Sequence, residues 1–460
     1  MNPLYNLLIT PIYLCIIYFV IAPFFANRWT NKFTRKYFWW GLHAKMFGAI
    51  FFCLIYQFYY GGGDTTAYFK QGSVIVDAFL KSPKIGFEVF TYNSQYFSGE
   101  SIQYLSKISF KSSTSTWIVT KITGLINLLT LKSFYSTALF FALWSFLGSW
   151  KLVQLFSAKY KEHYKYVCWA ILFIPSCIFW SSGIIKEAIT TGGIGFFTYY
   201  FARIAYNKEF STKNFSVLFI CFYIIKLVKG ATIFMLFPCL AFWVFLYYYS
   251  RLNALLRYSS TTIIILSIPL ILYFLAPKLD EYVENNEEFV AAQSTISGFQ
   301  SDHGGKWREA RGGHGGGKAS TYHLSSAGDL SLLGMMKSFP EAIHFTLFRP
   351  FPWETTKVVQ LMGAGESFAF LLITLYIFFK VGIWKTLKQT VKDPNLGFLL
   401  SYALLFGFIA GYISFNYGVL GRFKTPMMPF YTLFLVIHYQ YSIKKTSRKR
   451  INNFKVSRRR

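Results

Sequence analysis

The first apolar stretch of the chain, PLYNLLITPIYLCIIYFVIAPFFA at 3–26, contains no charged side chain. As a helix it would be about 36 Å long, enough to cross a hydrocarbon core of about 30 Å. The stretch that follows, NRWTNKFTRKY at 27–37, carries four cations and no acid. Because Lys and Arg accumulate in cytoplasmic loops, these two stretches predict a membrane-spanning helix that begins outside and ends in the cytoplasm.

Similar apolar stretches recur along the whole chain. Hydrophobic residues make up 54% of the 460 positions and charged residues 14%, against about 25% charged residues in soluble proteins. The pattern predicts an all-α, polytopic transmembrane helix bundle with about eleven spans. The predicted spans are 3–26, 38–60, 133–156, 166–181, 187–206, 214–229, 231–249, 260–277, 366–384, 396–417 and 427–442.

Positive charge predicts the side of the membrane on which each connection lies. Four later basic segments fall in the cytoplasm when the spans are counted in order, and the basic C-terminus lies there too. These segments are 157–165, 207–213, 250–259 and 385–395. The apolar stretch 115–130 would invert the order if it crossed the membrane, so we interpret it as an interfacial or re-entrant helix.

The predicted organisation has six parts, two of which are large segments on the outer side. We find no internal repeat and no soluble domain with a core of its own. The parts are 1–60 with the first two spans, the outer loop 61–131 with amphipathic or re-entrant helices, 132–277 with spans three to eight, the long Gly-rich outer loop 278–365, 366–442 with the last three spans, and the basic cytoplasmic tail 443–460.

The formal net charge of +28 is a reason to consider nucleic acid as a partner. The cations are concentrated in short segments between spans and in the tail, without a folded nucleic-acid-binding module, so we expect no nucleic acid partner. The six cysteines fall in apolar stretches, where Cys behaves as a small hydrophobic residue. Four histidines in or near the Gly-rich segment lack metal-ligand spacing, so we predict neither a metal site nor a cofactor. They are His303, His314, His323 and His344.

One acidic residue follows the second predicted span, in YYGGGDTTAY at 59–68. Three glycines allow a sharp turn and a close approach of the backbone to a ligand. Asp64 either N-caps an amphipathic helix over 65–80 or has a function, because an acid at the rim of a membrane helix is costly unless it is solvated, paired or used. The two roles are compatible.

A second cluster lies in FIPSCIFWSSGIIKEAI at 173–189, which joins two spans through a short outer turn. Glu187 in a first helical turn suits the helix dipole, whereas Lys186 is opposed by it and needs an anionic partner, either a ligand or a carboxylate such as Asp64. Lys226 and Lys229 end the weakest predicted span. They either snorkel to the interface or contact lipid phosphate.

Two later motifs place further cations on the predicted outer side. In LFRPFPWE at 347–354, two prolines prevent a regular helix, and Arg349 with its aromatic neighbours fits either a ligand site or an interfacial belt. In FNYGVLGRFKTPMMP at 415–429, Arg422 and Lys424 lie outside against the charge bias. This placement favours an anionic counter-ligand, such as a diphosphate held by paired hydrogen bonds from Arg422.

Together, the acid in the first outer loop, the turn WSSGIIKE at 180–187 and the segment at 415–429 resemble motifs of a known family. The chain resembles bacterial polytopic glycosyltransferases of the GT-C superfamily and the related O-antigen and exopolysaccharide polymerases. The resemblance implies a polyprenyl-linked saccharide donor, a saccharide acceptor and membrane lipid as partners. It also implies the bacterial cytoplasmic (inner) membrane, here with the N-terminus outside and the C-terminus in the cytoplasm.

The resemblance also implies roles for the candidate residues. Asp64 would be the general base that deprotonates an acceptor hydroxyl, with Glu187 as a second catalytic carboxylate. The remaining candidates would bind substrate, and their cations would neutralise the departing lipid phosphate. They are Tyr68, Lys186, Lys229, Arg349, Arg422 and Lys424.

Two other classes of function fit a polytopic chain. A transporter or flippase of a lipid-linked or anionic solute should carry ionisable groups near the bilayer midplane, often with inverted repeats. The notable charges here fall at span ends and no repeat is visible, which favours the enzyme. A structural component of an envelope assembly would need no acid–base cluster at all.

Overall fold

The computed structural model describes residues 2–92, 99–253, 294, 296–298, 300–301, 321–325, 332–355 and 358–457, without the side chains of 332–333, 358 and 444–457. These residues are helical and contain no β-strand, only an isolated antiparallel bridge between Thr321 and Asn416. The predicted all-α class is confirmed for this part of the chain. The predicted span 260–277, most of the Gly-rich segment, His303 and His314 lie outside the described residues.

Six helical runs among the described residues are long and apolar enough to cross a membrane. They are Pro3–Trp29, Arg35–Tyr59, Phe134–Lys159, Thr212–Tyr249, Val359–Val381 and Pro394–Ser414. The chain divides into two compact units, Met1–Phe234 and Met235–Arg460.

The first unit begins with two long apolar runs, in which short π-helical turns at Ile17–Ile21 and Ile55–Tyr59 continue the α-helices. Its α-helices are α1 (Pro3–Ile16), α2 (Ala22–Trp29), α3 (Arg35–Leu54), α4 (Asp64–Lys81), α5 (Pro83–Thr91), α6 (Gly99–Leu105), α7 (Thr114–Leu129), α8 (Phe134–Lys159), α9 (Tyr164–Leu172), α10 (Pro175–Trp180), α11 (Lys186–Asn207) and α12 (Thr212–Tyr249), whose end belongs to the second unit.

Helices α8 and α11 meet backbone to backbone at three glycines. A Cβ atom on Gly148 would lie 2.2 Å from the carbonyl oxygen of Gly192, and one on Gly195 would lie 2.1 Å from that of Gly148. Real Cβ atoms do not approach other atoms so closely, so only glycine fits. Small residues that let two backbones pack closely are typical of helix association in membranes.

Helices α4 to α7, within residues 64–92 and 99–129, form a helical cap with an apolar core. The core residues come from short amphipathic helices that each contribute a few apolar side chains, so no single stretch reveals the core in the sequence. They are Ile75, Ala78, Ile85, Val89, Leu105, Ile108 and Trp117. This apolar cluster was not predicted from the sequence. The stretch 115–130 is helical, as predicted, and forms α7.

A buried asparagine connects this cap to α8. The side-chain nitrogen of Asn127 donates to the carbonyl of Phe69 at 3.1 Å and to the hydroxyl of Ser73 at 3.0 Å. Its oxygen accepts from Thr137 on α8 at 2.8 Å. Because a buried amide is costly unless its hydrogen bonds are made, this network fixes the position of the cap on α8.

Two predicted boundaries differ from the structure. The predicted span 166–181 consists of the short helices α9 and α10, because Ile174 is extended (φ −77°, ψ 120°) before Pro175, as residues before proline tend to be. The predicted spans 214–229 and 231–249 form one helical run, α12, which leaves helical geometry only at Lys229 (φ −154°, ψ 72°).

In the second unit, a helix from the predicted long outer loop packs on a helix that is long and apolar enough to cross a membrane. The helices are α13 (Leu332–Phe348), α14 (Val358–Val381), α15 (Ile383–Lys392), α16 (Pro394–Ser414), α17 (Tyr417–Phe423) and α18 (Met428–Ser457). Thr346 on α13 donates to the carbonyl of Gly407 on α16 at 2.7 Å. Helix α18 continues beyond the predicted last span into the predicted tail.

We expect Gly195→Ala to destabilise the first unit, because its methyl group would overlap the carbonyl of Gly148. Overpacking of this kind costs about 1–3 kcal/mol, which should lower the midpoint of thermal unfolding in detergent. Gly363→Ala on α14 is the matched control, since no atom lies within 4 Å of its added Cβ. Equal unfolding midpoints for Gly195→Ala and the parent would contradict the glycine contact.

Candidate functional site

Asp64 is the first residue of α4 and its side chain is exposed. The preceding glycines all have positive φ angles, 66° at Gly61, 148° at Gly62 and 140° at Gly63, which glycine adopts at little cost. A Cβ on Gly63 would also lie 2.8 Å from the ring of Tyr56. The sharp turn predicted from the three glycines is therefore present.

The N-cap of α4 differs by one position from the prediction. Gly63 is the capping residue, and its backbone N–H donates to the hydroxyl of Thr66 at 3.0 Å. Asp64 lies in the first helical turn, where the helix dipole stabilises a negative charge. Asp64 therefore does not serve as the N-cap, and its carboxylate is held at a solvent-accessible helix end.

Tyr68 lies one helical turn after Asp64, but its side chain is buried. Its ring centroid is 4.8 Å from that of Phe110, in the segment that precedes α7. Thr116 on α7 donates to the carbonyl of Phe110 at 2.8 Å. Tyr68 thus connects the helix that begins with Asp64 to the N-terminal end of α7.

Lys186 is the first residue of α11 and contacts the same end of α7. Its ammonium group donates to the hydroxyl of Ser115 at 2.8 Å. A series of contacts from Tyr68 through Phe110 and Ser115 therefore joins the Asp64 end of α4 to Lys186. From the sequence we expected an anionic partner for Lys186. The hydrogen bond to Ser115 was not predicted.

Glu187 and Lys229 form a buried ion pair. The ammonium nitrogen of Lys229 is 3.4 Å from Oε1 of Glu187, whose side chain is 1% exposed. Lys229 is the residue at which α12 loses helical geometry. It therefore does not simply snorkel to an interface, whereas the side chain of Lys226 is exposed. The pair places the ammonium group of Lys229 beside the start of α11, with Glu187 as its counter-charge.

In the second unit, Arg349 and Glu354 bind each other as a fork. Nε of Arg349 donates to Oε2 of Glu354 at 2.9 Å, and its Nη2 donates to Oε1. Oε2 of Glu354 also accepts the N–H of Phe351 at 2.7 Å. The guanidinium carbon lies 4.5 Å from the ring centroid of Phe345 and 5.9 Å from that of Tyr417. The structure therefore brings Arg349 to the helix that carries Arg422.

Tyr322 packs against the aromatic side chains around Arg349, and the sequence analysis did not select it as a candidate residue. Its ring centroid is 4.6 Å from that of Phe345 and 5.1 Å from that of Tyr417, and its hydroxyl donates to the carbonyl of Gly411 at 2.8 Å. Burial raises the pKa of Tyr322, so the hydroxyl stays protonated as a donor. Burial and the nearby Arg349 lower the pKa of His344, so the imidazole is neutral at pH 7.

Arg422 and Lys424 lie at the end of α17, which Asn416 caps by accepting the N–H groups of Gly418 and Val419. The side chain of Arg422 is half-buried. Lys424 is 3% exposed and donates to the hydroxyl of Ser367 at 2.7 Å. Of these two residues, Arg422 offers the more accessible cation.

Two buried lysines inside predicted spans were also missed. Lys45 on α3 is 4% exposed and donates to the carbonyl of Cys177 at 2.9 Å, to Ser145 at 3.3 Å and to Ser181. Lys151 on α8 is 3% exposed. The expectation that notable charges fall only at span ends is therefore incomplete. A single Lys within each apolar stretch was the available signal.

The Glu187–Lys229 pair predicts a thermodynamic coupling. We expect Glu187→Gln and Lys229→Met each to lower the free energy of unfolding, since each leaves the other group without its counter-charge. The double variant should lose less than the sum, with a coupling of about 0.5–3 kcal/mol. Detergent unfolding of the four proteins measures it. Additive losses would show that the pair contributes no interaction.

No group of three His, Cys, Asp or Glu side chains suited to a metal ion occurs in the described part of the chain. Comparison with models of protein families, with curated proteins and with solved structures finds no match to this chain.

Proposed function

We propose that the chain is a membrane glycosyltransferase or polysaccharide polymerase that uses a polyprenyl-phosphate-linked saccharide at the outer face of the bacterial cytoplasmic membrane. The observation that carries the proposal is the connection between Asp64 and Lys186 within the first unit. An exposed carboxylate at a glycine turn and a cation at a helix start are joined through Tyr68, Phe110 and Ser115.

The two groups suit the two halves of glycosyl transfer. The Asp64 carboxylate takes the proton of an acceptor hydroxyl as the new glycosidic bond forms. Lys186 and Lys229 stabilise the negative charge that develops on the departing lipid phosphate. Glu187 is the second carboxylate and positions Lys229 through its ion pair. The proposed reaction takes a saccharide acceptor.

The second unit carries cations of the kind that bind phosphate oxygens. Arg422 is the proposed diphosphate ligand, because a guanidinium donates paired hydrogen bonds. Arg349 and Lys424 are the additional proposed cations. Arg349 lies beside the ring of Tyr417, and Lys424 donates to Ser367. Membrane lipid is the third proposed partner, and nucleic acid is not a partner.

We further propose about eleven spans, with the N-terminus outside and the C-terminus in the cytoplasm. The break at Lys229 supports the division of α12 into the spans 214–229 and 231–249. With a length of about 57 Å at 1.5 Å per residue, a straight α12 would exceed the hydrocarbon core nearly twofold.

Reporter fusions after Ser211 and after Leu252 test this topology. If the break at Lys229 separates two spans, both positions lie in the cytoplasm, and a fluorescent reporter is active at both. A periplasmic alkaline phosphatase reporter should be inactive at both positions and active after Thr91. Opposite behaviour of the two positions would show that α12 crosses the membrane once.

Transfer of radiolabelled saccharide from a polyprenyl-linked donor pool in membranes tests the reaction. We expect Asp64→Asn to lower the rate about 10²–10⁴-fold, since the base is lost, and Arg422→Ala to lower it about 10²-fold. Two controls make the same substitutions at an Asp and an Arg outside the proposed site. Asp77→Asn removes a carboxylate at the other end of α4, where it pairs with Lys132 at 2.6 Å. Arg251→Ala removes an exposed guanidinium beside Tyr247.

Equal membrane abundance of all variants is established first. Transfer by Asp64→Asn at the parent rate would overturn the catalytic assignment.

A transporter or flippase is the second candidate function, favoured by the buried Lys45 in the interior of α3, because transporters place ionisable groups within spans. Lipid-linked saccharide that crosses the bilayer of parent proteoliposomes without transfer would support it.

A further inference from the structure

A cavity of about 650 Å³ lies in the first unit, away from the candidate residues. One wall is the turn that joins α2 to α3, and the other is the C-terminal part of α8 with the start of α9. None of Asp64, Lys186, Glu187 and Lys229 lines it. The volume lies within the range of about 300–1,000 Å³ that is usual for ligand pockets.

The walls are fixed to each other by hydrogen bonds. Helix α2 ends at Trp29, because Thr30 is extended (φ −121°, ψ 162°). The carbonyl of Trp29 accepts from the indole of Trp150 at 3.2 Å and from the amide of Gln154 at 2.8 Å, both on α8. The cavity is therefore a preformed feature of the fold and not a gap between independent loops.

The polar lining of the cavity is rich in donors and contains no acid. Arg28 and Lys161 line it with exposed side chains. The side-chain oxygen of Asn31 accepts the N–H groups of Phe33 and Thr34 at 3.0 Å. Within the described residues, the side-chain nitrogen of Asn31 has no hydrogen-bond partner, which leaves two N–H donors for a ligand.

A third cation lies behind the wall. The ammonium nitrogen of Lys151 is 3.5 Å from the ring centroid of Trp29 and donates to Gln154 at 2.8 Å. Among the described residues, no carboxylate lies within ion-pair distance of it. An anion in the cavity would favour the protonated form of this buried amine.

The surrounding surface has the same sign of charge. Glu162 is the one acid of the two adjoining segments, 27–37 and 157–165, and it does not line the cavity. The basic side chains of these segments outside the lining are Lys32, Arg35, Lys36, Lys159 and Lys165. The aromatic side chains in the lining are Trp29, Phe33, Trp150 and Tyr164, and Trp and Tyr are the residues enriched at the membrane–water interface.

We propose that this cavity binds the phosphate-bearing headgroup of an anionic phospholipid. Arg28 and Lys161 contact the phosphate, and Asn31 donates to its oxygens or to headgroup hydroxyls. The aromatic lining contacts the glycerol and the first methylene groups. A zwitterionic choline headgroup fits poorly, because its ammonium group would meet Arg28 and Lys161 with no carboxylate in the lining. A soluble phosphate ester has the same anionic chemistry and is the other source of the ligand.

Native mass spectrometry of the full-length protein in detergent tests the proposal. The probes are short-chain phosphatidylglycerol, short-chain phosphatidylcholine and glycerol phosphate. We expect phosphatidylglycerol to bind about tenfold more tightly than phosphatidylcholine. Arg28→Gln with Lys161→Gln should weaken phosphatidylglycerol binding about 20–30-fold, since each basic residue near a lipid surface contributes a factor of about five.

Three further variants separate the cavity from general surface charge. Ala158→Trp fills the cavity from an exposed lining position without a change of charge, and it should weaken binding similarly. Arg28→Lys with Lys161→Arg keeps both charges and should retain binding. Lys388→Gln with Lys392→Gln removes two exposed lysines from α15 and should have little effect. Thermal unfolding confirms that each variant is folded.

Equal affinity for the two phospholipids would overturn the proposal, as would parent-like binding by Arg28→Gln with Lys161→Gln. Retained binding by folded Ala158→Trp would assign the effect to surface charge and also overturn it. If glycerol phosphate displaces the lipid at equal concentration, the phosphate chemistry holds and the soluble ester is the ligand.

Discussion

The first unit depends on the backbone contact between α8 and α11. The carbonyl groups of Gly148 and Gly192 occupy the space that side chains would otherwise fill, so the two helices lie closer than larger residues allow. Helix α11 begins with Lys186 and Glu187, a few residues before Gly192. On α8, Lys151 follows Gly148 by three residues. The glycine contact thus holds α11, which carries Lys186, against α8, whose C-terminal part forms one wall of the headgroup cavity.

Buried polar groups then connect the remaining elements to this pair. Asn127 joins the helical cap to Thr137 on α8, and Lys45 joins α3 to Ser145 on α8 and Ser181 after α10. A donor without a hydrogen bond costs more free energy in an apolar surrounding than in water. Each network therefore favours the one arrangement of helices in which its hydrogen bonds are made. The cap that carries Asp64 is therefore held by specific hydrogen bonds as well as by its own apolar core.

Much of the local structure could be predicted from the sequence, whereas the contacts between distant residues could not. The three glycines before Asp64 predicted the turn, and positive φ angles follow from their lack of a side chain. The Glu187–Lys229 pair links residues 42 positions apart, and no local pattern encodes such a pairing. Tyr322 was missed for the same reason, since it acts through Phe345 and Tyr417. The sequence predicted two separate spans, 214–229 and 231–249, where α12 is one helical run with a local break at Lys229.

The distribution of acids decides which partner the chain needs. It has 47 Lys and Arg residues against 19 Asp and Glu, and several of its acids are engaged in ion pairs. Asp77 binds Lys132, Glu209 binds Arg203, Glu187 binds Lys229 and Glu354 binds Arg349. Hydrogen bonds from Arg203 and Asn207 lower the pKa of Glu209, so that this pair persists at pH values below the ordinary range of a carboxyl group. With these acids engaged, the formal excess of 28 positive charges must be balanced from outside the chain. The phosphate groups of a bilayer are one source of that balancing charge. The proposed transferase site and the proposed headgroup cavity therefore meet one physical requirement, because both place cations where lipid phosphate is available.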